Sequence, residues 1–123
     1  MRTDKLNLGF WGEEKALEYL QKKGYILLER NWRSGNFEID LILMDGPVLV
    51  FVEVKTREGN QHGNPESFVN AKKEGNLQKA SLHYMHKIRH EGDIRFDIIG
   101  ILVNDKKEIQ DIYHLEDAFF PGL

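Results

Sequence analysis

Residues 37–56 constrain the fold of this chain more than any other segment does. Two runs of strand-forming residues, at 37–44 and 48–56, flank the dipeptide Gly46-Pro47. Short apolar runs that alternate with polar residues and are bounded by Gly and Pro predict a β-hairpin with a two-residue loop. The second run is apolar on both faces where it begins, which is typical of a strand inside a sheet.

The predicted hairpin brings charged side chains together at one end. Counting outward from the loop, Asp40 lies opposite Glu53 and Glu38 lies opposite Lys55, all on one face. Two like charges about 4 Å apart repel by about 4 kcal/mol at an effective dielectric constant of about 20. The two carboxylates are therefore expected either to have a raised pKa or to share a cation, which could be Lys55 or a hard divalent metal bound through oxygen. The opposite face of the first run then carries Phe37, Ile39, Leu41 and Leu43.

A helix is predicted over residues 4–23. Its inward stripe, at helical spacing, consists of Leu6, Phe10, Leu17 and Leu20. Glu13 occupies a stripe position where an apolar residue is expected, and an inward carboxylate needs a cation or a hydrogen-bond donor opposite it. Gly9, Gly12 and Ala16 lie beside the stripe, so we expect this helix to approach its neighbour closely.

The remaining segments complete the order αβββαβ, which one extra strand follows. They are a strand at 25–32, a polar loop at 57–67, a helix at about 68–90, a strand at 94–103 and a short strand at 108–115. This order predicts an α/β fold with a mixed central sheet flanked by helices. A length of 123 residues fits one domain, so we expect a single domain over residues 1–123.

Composition narrows the classes of function. The chain has no cysteine, which excludes disulfides, thiolate zinc sites and a cysteine nucleophile. It has no apolar run long enough for a signal peptide or a membrane span, so we expect a soluble cytoplasmic protein that does not bind membranes. The formal net charge is −3. A role with nucleic acid therefore requires a local basic patch or a metal ion at an acidic site.

Several features allow both a functional and a structural interpretation. The charged cluster fits either a catalytic site or an ion-pair network without catalysis. Trp32 could stack on a base, although core packing is favoured for an aromatic residue on a strand. His62, in the polar loop, could touch a substrate, although a lone loop histidine usually has no such role. Surface exposure is favoured over metal binding for His83, His86 and His90, which share roughly one helix face.

At these residues the sequence resembles the PD-(D/E)XK, or restriction-endonuclease-like, superfamily, whose core order is αβββαβ. The D of that motif corresponds to Asp40 and the E-x-K to Glu53-Val54-Lys55. More closely, the chain is similar to the YraN family of small bacterial proteins, which is related to archaeal Holliday-junction resolvases and RecB-type nuclease domains. The matching segments run in order along nearly the whole chain and include Gly12-Glu13, Arg30-Asn31-Trp32-Arg33, Glu38–Ile42, Val50–Arg57, Lys73 and Arg95-Phe96-Asp97.

The resemblance implies roles for four catalytic residues. Asp40 and Glu53 would bind magnesium, or manganese in its place, and Glu13 would ligate the metal or hold a metal-bound water. Lys55 would orient or deprotonate the attacking water, or stabilise charge on the phosphate. The residues expected to contact phosphate in nucleic acid are Arg30, Arg33, Arg57 and Lys73.

The resemblance also implies a reaction, namely metal-dependent hydrolysis of phosphodiester bonds in structured or branched DNA. A homodimer is expected for this function, because resolving a branch needs two coordinated cuts. One alternative is a nucleic-acid-binding module that does not cut, and another is a partner-binding domain whose charges form an ion-pair network. The negative net charge favours the alternatives, as does Glu74-Gly75-Asn76 after Lys73, where the family tends to carry glutamine and arginines.

Overall fold

The computed structural model describes residues 4–59 and 71–118, with side chains over 9–59 and 77–118. Its elements are helix α1 (Asp4–Lys22), strands β1 (Ile26–Ser34), β2 (Phe37–Asp45) and β3 (Val48–Glu58), helix α2 (Ala71–Ile88), and strands β4 (Ile94–Val103) and β5 (Ile109–Leu115). The predicted order of elements is confirmed. The side chain of Leu6 and the predicted start of the second helix near 68 lie outside the described residues.

The five strands form one sheet in the order β1-β2-β3-β4-β5. β3 and β4 are parallel, whereas the other neighbouring pairs are antiparallel. A parallel pair needs a crossover connection, and α2 lies in the connection from β3 to β4. The result is the predicted mixed α/β fold, consistent with a restriction-endonuclease-like core plus a C-terminal strand. Over the described residues, neither helix has the length and apolar character needed to cross a membrane.

The two helices cover opposite faces of the sheet. The α1 face holds a buried apolar cluster of Ala16, Leu20, Tyr25, Leu41, Leu43, Val50, Val52, Ile99, Ile101 and Val103. The α2 face holds a second cluster of Ile39, Ile42, Leu49, Phe51, Leu77, Ala80, Tyr84, Phe96 and Ile98. β3 contributes to both clusters, so its apolar start correctly predicted a strand in the interior of the sheet.

The β2–β3 hairpin has the predicted register from its loop outward. The ladder runs as far as the pair of Leu41 with Val52. The predicted next pair, Asp40 with Glu53, is not part of this ladder. Main-chain pairing between the strands therefore ends just before the acidic residues, and their side chains are placed by other contacts.

The inward face of α1 matches the predicted stripe in part, because Leu20 is buried and Leu17 packs against the same cluster. Phe10 was expected to point inward, but its side chain is 63% exposed. Gly12 and Ala16 face the sheet instead. A Cβ atom at Gly12 would lie 1.9 Å from Thr56 Oγ1, so any larger residue there would force a shift in this crossing, whereas a Cβ at Gly9 would meet open space. Small residues allow the closest approach, and α1 therefore turns Gly12 and Ala16, rather than Phe10, toward β3.

The alternation of side chains along β2 reverses at Asp40, contrary to prediction. Ile39 packs on the α2 face and Leu41 on the α1 face, although residues two apart share a face in a regular strand. On β1, Asn31 has a φ of 53°, and the next residue, Trp32, packs on the α2 face. The pairs Arg30–Leu41 and Trp32–Ile39 keep one register, so Asn31 lies opposite Asp40 and the irregularities of the two strands coincide. The predicted common face is thus split between Phe37 and Ile39 on one side and Leu41 and Leu43 on the other.

Candidate active site

Asp40 occupies the point where β2 and β3 stop pairing. Its Oδ2 accepts a hydrogen bond from the Val54 backbone N–H at 2.8 Å, so the carboxylate takes the place of a main-chain acceptor. This contact fixes Asp40 against β3 in the gap between the strands. Because Phe51 packs on the α2 face, alternation along β3 puts Glu53 on that face too.

Asp40 and Glu53 line one cavity of about 280 Å³. The other described residues that line it are Asn36, Phe37, Glu38, Ile39, Val52 and Leu77. The cavity thus lies between the start of β2, the middle of β3 and helix α2. Two carboxylates face a common space whose walls are partly apolar, which is a setting where charge is weakly screened.

Glu53 is paired with Lys55 on the same strand. Lys55 Nζ lies 2.6 Å from Glu53 Oε1, and the two side chains are only 18% and 11% exposed. Residues two apart on a regular strand share a face, which allows this contact. The sequence allowed two cations beside the acidic residues, namely Lys55 and a divalent metal. The structure places the Lys55 ammonium beside Glu53.

Glu13 approaches Asp40 from α1. Asn31 Nδ2 donates a hydrogen bond to Glu13 Oε1 at 3.0 Å, and Arg30 Nε lies 3.7 Å from the same oxygen. Burial raises the pKa of Glu13 to about 7, and the negative charge of Asp40 adds to the increase while Arg30 opposes it. A carboxyl group with a pKa near neutrality can both hold and release a proton at physiological pH.

The three carboxylates of the predicted site, Glu13, Asp40 and Glu53, do not form one group that could hold a metal ion. Within 9–59 and 77–118, no group of three or more His, Asp or Glu side chains is arranged to hold a metal ion. Asp40 instead interacts with Glu13 and, separately, shares a cavity with Glu53. This pair of carboxylates fits magnesium, which typically uses one or two together with substrate phosphate. The roles of Glu13, Asp40, Glu53 and Lys55 in metal binding and catalysis remain predictions.

Two of the residues expected to contact phosphate are paired with carboxylates. Arg30 forms an ion pair with Glu14, and its guanidinium lies over the Phe10 ring. Arg33 lies 3.4 Å from Glu38 but is 69% exposed. Arg33 is thus accessible to a ligand, whereas Arg30 belongs to the packing around α1.

The other residues singled out by the sequence have varied surroundings. Arg57 Nη1 donates to the carbonyl oxygen of the preceding residue at 3.0 Å. Trp32 packs edge-to-face against an aromatic ring of α2, with ring centres 5.1 Å apart. His83 is exposed. The side chain of Lys73 and the whole of His62 lie outside the described residues.

A buried network surrounds Asp97 on β4, a residue that the sequence allowed as an ion-pair partner near Arg95 and that was left out of the predicted site. Asp97 is 0% exposed and accepts hydrogen bonds from Arg95 Nε at 2.9 Å and the Asp117 backbone N–H at 3.1 Å. His114 Nε2 lies 2.7 Å from its Oδ2. Burial works against ionisation, but these hydrogen bonds hold the pKa of Asp97 below its ordinary value. An acidic residue inside an apolar strand signals such a network, although its partner on β5 cannot be read from local pattern.

The contact of Asn31 with Glu13 was not predicted from the sequence. The available signal was the residue type itself. Asparagine is disfavoured in strands and is one of the few residues other than glycine that readily adopt a positive φ. An asparagine in the middle of a predicted strand therefore indicates a residue with positive φ that interrupts the regular strand geometry.

The fold and site together define a class, namely a mixed α/β protein with an aspartate and a Glu-x-Lys pair at the far end of its central hairpin. The chain belongs to the family described as "Uncharacterised protein family UPF0102", whose model matches residues 12–101. This membership confirms the resemblance to YraN-type proteins. The matched segment contains Glu13, Asp40, Glu53 and Lys55.

Relatives with the same family name align over nearly their whole length. A UPF0102 protein of Syntrophomonas wolfei is 46% identical over 113 residues, which cover 91% of this chain and 96% of the relative. One from Thermodesulfovibrio yellowstonii is 44% identical and covers 94% of this chain and 98% of the relative. One from Clostridium perfringens is 34% identical and covers 97% and 98%, respectively.

Proposed function

We propose that this protein is a metal-dependent nuclease of the PD-(D/E)XK type that hydrolyses phosphodiester bonds in structured or branched DNA. The observation that carries the proposal is the shared cavity of Asp40 and Glu53, together with the ion pair of Glu53 with Lys55 on the same strand. Two carboxylates that face one space repel each other, and a bound divalent cation would relieve that repulsion. Such a cluster could bind a divalent cation that contacts the phosphate of a nucleic acid.

Asp40 and Glu53 would hold magnesium or manganese through oxygen, the ligand type that these cations prefer. A bound divalent cation lowers the pKa of water and neutralises charge on the phosphate in the transition state. Asp40 is already oriented for this role, because its Oδ2 accepts the Val54 N–H and cannot rotate without losing that bond.

Lys55 and Glu13 would handle charge and protons around the scissile phosphate. The Lys55 ammonium can donate to a phosphate oxygen or orient the attacking water, since it lies on the face of β3 that lines the cavity. Glu13, whose pKa is about 7, can accept a proton from water near neutral pH. The proposed reaction thus uses a positioned cation, a positioned amine and one carboxyl group that titrates in the working range.

Thermal unfolding with magnesium or manganese tests metal binding. A cation that binds only the native state raises the melting temperature, so we expect a rise for the wild-type protein. Asp40→Asn should abolish the rise, whereas Asp105→Asn, in the exposed turn before β5, changes the net charge equally and should retain it. A rise that survives Asp40→Asn would contradict the proposed ligand set.

A cleavage panel tests the reaction. Labelled four-way junction, flap, single-stranded and duplex DNA are incubated with and without metal, with Lys55→Ala as the matched inactive variant. We expect metal-dependent cuts in junction or flap DNA and a loss of at least about a hundredfold in Lys55→Ala. Cleavage that is equal in wild type and Lys55→Ala would point to a contaminating nuclease.

A non-cleaving nucleic-acid-binding module is the second candidate. It is favoured by the ion pair of Glu53 with Lys55, which balances one carboxylate of the cavity without a metal. Binding of any DNA in the panel, with no metal-dependent product from wild-type protein, would support this candidate over the nuclease.

A further inference from the structure

Two consecutive residues of β1 reach the same oxygen of Glu13. Asn31 Nδ2 donates to Glu13 Oε1 at 3.0 Å, and Arg30 Nε lies 3.7 Å from it. In a regular strand, consecutive side chains point to opposite faces of the sheet. The shared contact therefore requires a local departure from strand geometry.

The departure is located at Asn31. Its φ of 53° lies in the left-handed region, which asparagine tolerates better than most residues with a side chain. The neighbouring pairs, Arg30 with Leu41 and Trp32 with Ile39, keep one register. Asn31 consequently stands across from Asp40, at the position where both strands change face.

We infer that Asn31 is a positioning residue of the proposed site, whose left-handed backbone turns β2 at Asp40 and whose amide holds the Glu13 carboxylate beside Asp40. The inference rests on the proposed function for its effect on catalysis. Asn31 lies on β1, contacts Glu13 of α1 and stands opposite Asp40 of β2, so this one residue connects the three elements. Asn31 itself does not touch the proposed cation or the reacting atoms.

The chemistry of an amide suits this role. Asn31 donates a hydrogen bond but carries no charge, so it orients Glu13 without neutralising the charge of its carboxylate. A lysine in its place would neutralise that charge. Arg30, the other contact, is committed to Glu14 and the Phe10 ring. Asn31 therefore supplies the short directional bond to Glu13, and Arg30 supplies a longer electrostatic contact.

Two substitutions separate the backbone from the amide. Asn31→Gly keeps the left-handed conformation and removes the amide, whereas Asn31→Ala disfavours the conformation as well. Arg89→Gly is the matched control, because Arg89 also has a positive φ of 55° and its side chain is exposed. Steady-state cleavage of the preferred DNA, with kcat and KM measured separately, is compared with the melting temperature of each variant.

We expect Asn31→Gly to melt within about 2 °C of wild type, and Asn31→Ala to melt several degrees lower. Both should lose about tenfold or more in kcat with KM within about twofold, since misplacement of a catalytic group lowers turnover more than substrate binding. Arg89→Gly should keep both constants. Wild-type kcat in Asn31→Gly would overturn the inference, because a purely structural asparagine predicts that result.

A second measurement separates this inference from the proposed nuclease function. Crystal structures of metal-free wild type and Asn31→Gly are compared at the Glu13 carboxylate, which we expect to move by about 1 Å or more away from Asp40 when the amide is lost. A carboxylate that stays in place overturns the positioning role, whatever the activity. A displaced carboxylate in a protein that cuts no DNA retains the positioning role and overturns only the nuclease function.

Discussion

Glu13 shows how one side chain can acquire an unusual chemistry from its surroundings. Burial is the largest cause of its raised pKa, and the charge of Asp40 reinforces it. The donors that face it, Asn31 and Arg30, reduce the cost of the ionised form without removing it. A carboxyl group in this setting costs stability when it is charged, and strongly shifted pKa values of this kind cluster at functional sites.

The pH dependence of stability should report this cost. The folded protein holds the Glu13 proton up to about pH 7, whereas an ordinary glutamate has a value of 4.5. The folded state therefore binds more protons in this window, and its stability should fall as pH rises from 4.5 to 7. In a chelator-containing buffer, urea unfolding should show a loss of about 1–2 kcal/mol that is absent in Glu13→Gln. Parallel curves for the two proteins would show that Glu13 titrates normally.

Asp97 illustrates the opposite case, a buried charge that is fully paired. Asp97→Ala leaves Arg95 and His114 without their common partner, and we expect the free energy of unfolding to fall by about 3–5 kcal/mol. The pKa of Asp97 is lowered, so its contribution is present at neutral pH and is lost in the acid range as the carboxylate is protonated. Urea unfolding at neutral pH checks the prediction, with exposed Asp105→Ala expected within about 0.5 kcal/mol of wild type.

The crossing of α1 over β3 is the feature at the scale of elements that brings Glu13 into the site. Gly12 packs where a Cβ atom would meet the Thr56 side chain, and Ala16 is fully buried one turn later. The next residue after Gly12 is Glu13, so the closest point of the helix carries the carboxylate. A helix held farther from the sheet would leave Glu13 remote from Asp40.

Gly12→Ala tests this crossing against Gly9→Ala in the same helix. The added methyl at Gly12 overlaps Thr56, and we expect a loss of about 1–3 kcal/mol from overpacking. At Gly9 a Cβ has nothing within 4 Å, so alanine should stabilise the helix by about 0.5–1 kcal/mol through its higher propensity. Thermal or urea unfolding of the two variants gives the comparison. Equal effects of the same sign would show that α1 does not approach β3 this closely.

Element-level prediction from the sequence succeeded where the pattern was local. The hairpin loop and its register followed from Gly46-Pro47 and the alternation beside it. The predicted inward face of α1 was right at Leu17 and Leu20 but wrong at Phe10, because hydrophobicity favoured Phe10 whereas the packing distance favoured Gly12. The faces of β2 were wrong because the strand is irregular at Asp40, opposite the left-handed residue Asn31 of the neighbouring strand.

The net charge of the whole molecule affects how it could bind nucleic acid. The net charge is −3, and Arg30 and Arg33 lie against carboxylates. Phosphate would therefore approach an acidic end of the sheet, where repulsion opposes binding unless a cation intervenes. At this scale the proposed metal serves for binding DNA as well as for cutting it.

DNA affinity should accordingly depend on divalent metal. At matched ionic strength we expect binding of junction or flap DNA to weaken by about tenfold or more, equivalent to about 1.4 kcal/mol, when magnesium is replaced by EDTA and sodium chloride. Fluorescence anisotropy measures the two affinities, at low temperature so that cleavage is slow. Glu53→Gln should reduce the difference in affinity between the two buffers. Equal affinity in both buffers would place the DNA on some other basic surface.

The sequence alone determined the element order, the hairpin register and the identity of the charged residues, because these depend on periodicity and turn chemistry within short segments. Tertiary structure decided which of those residues meet. Asp40 inserts into the gap beside Val54, Glu13 reaches it only where α1 crosses closely, and Asp97 finds His114 on the adjacent strand. Such contacts join residues far apart in the chain, and they are set by packing distances and backbone turns that no local pattern encodes.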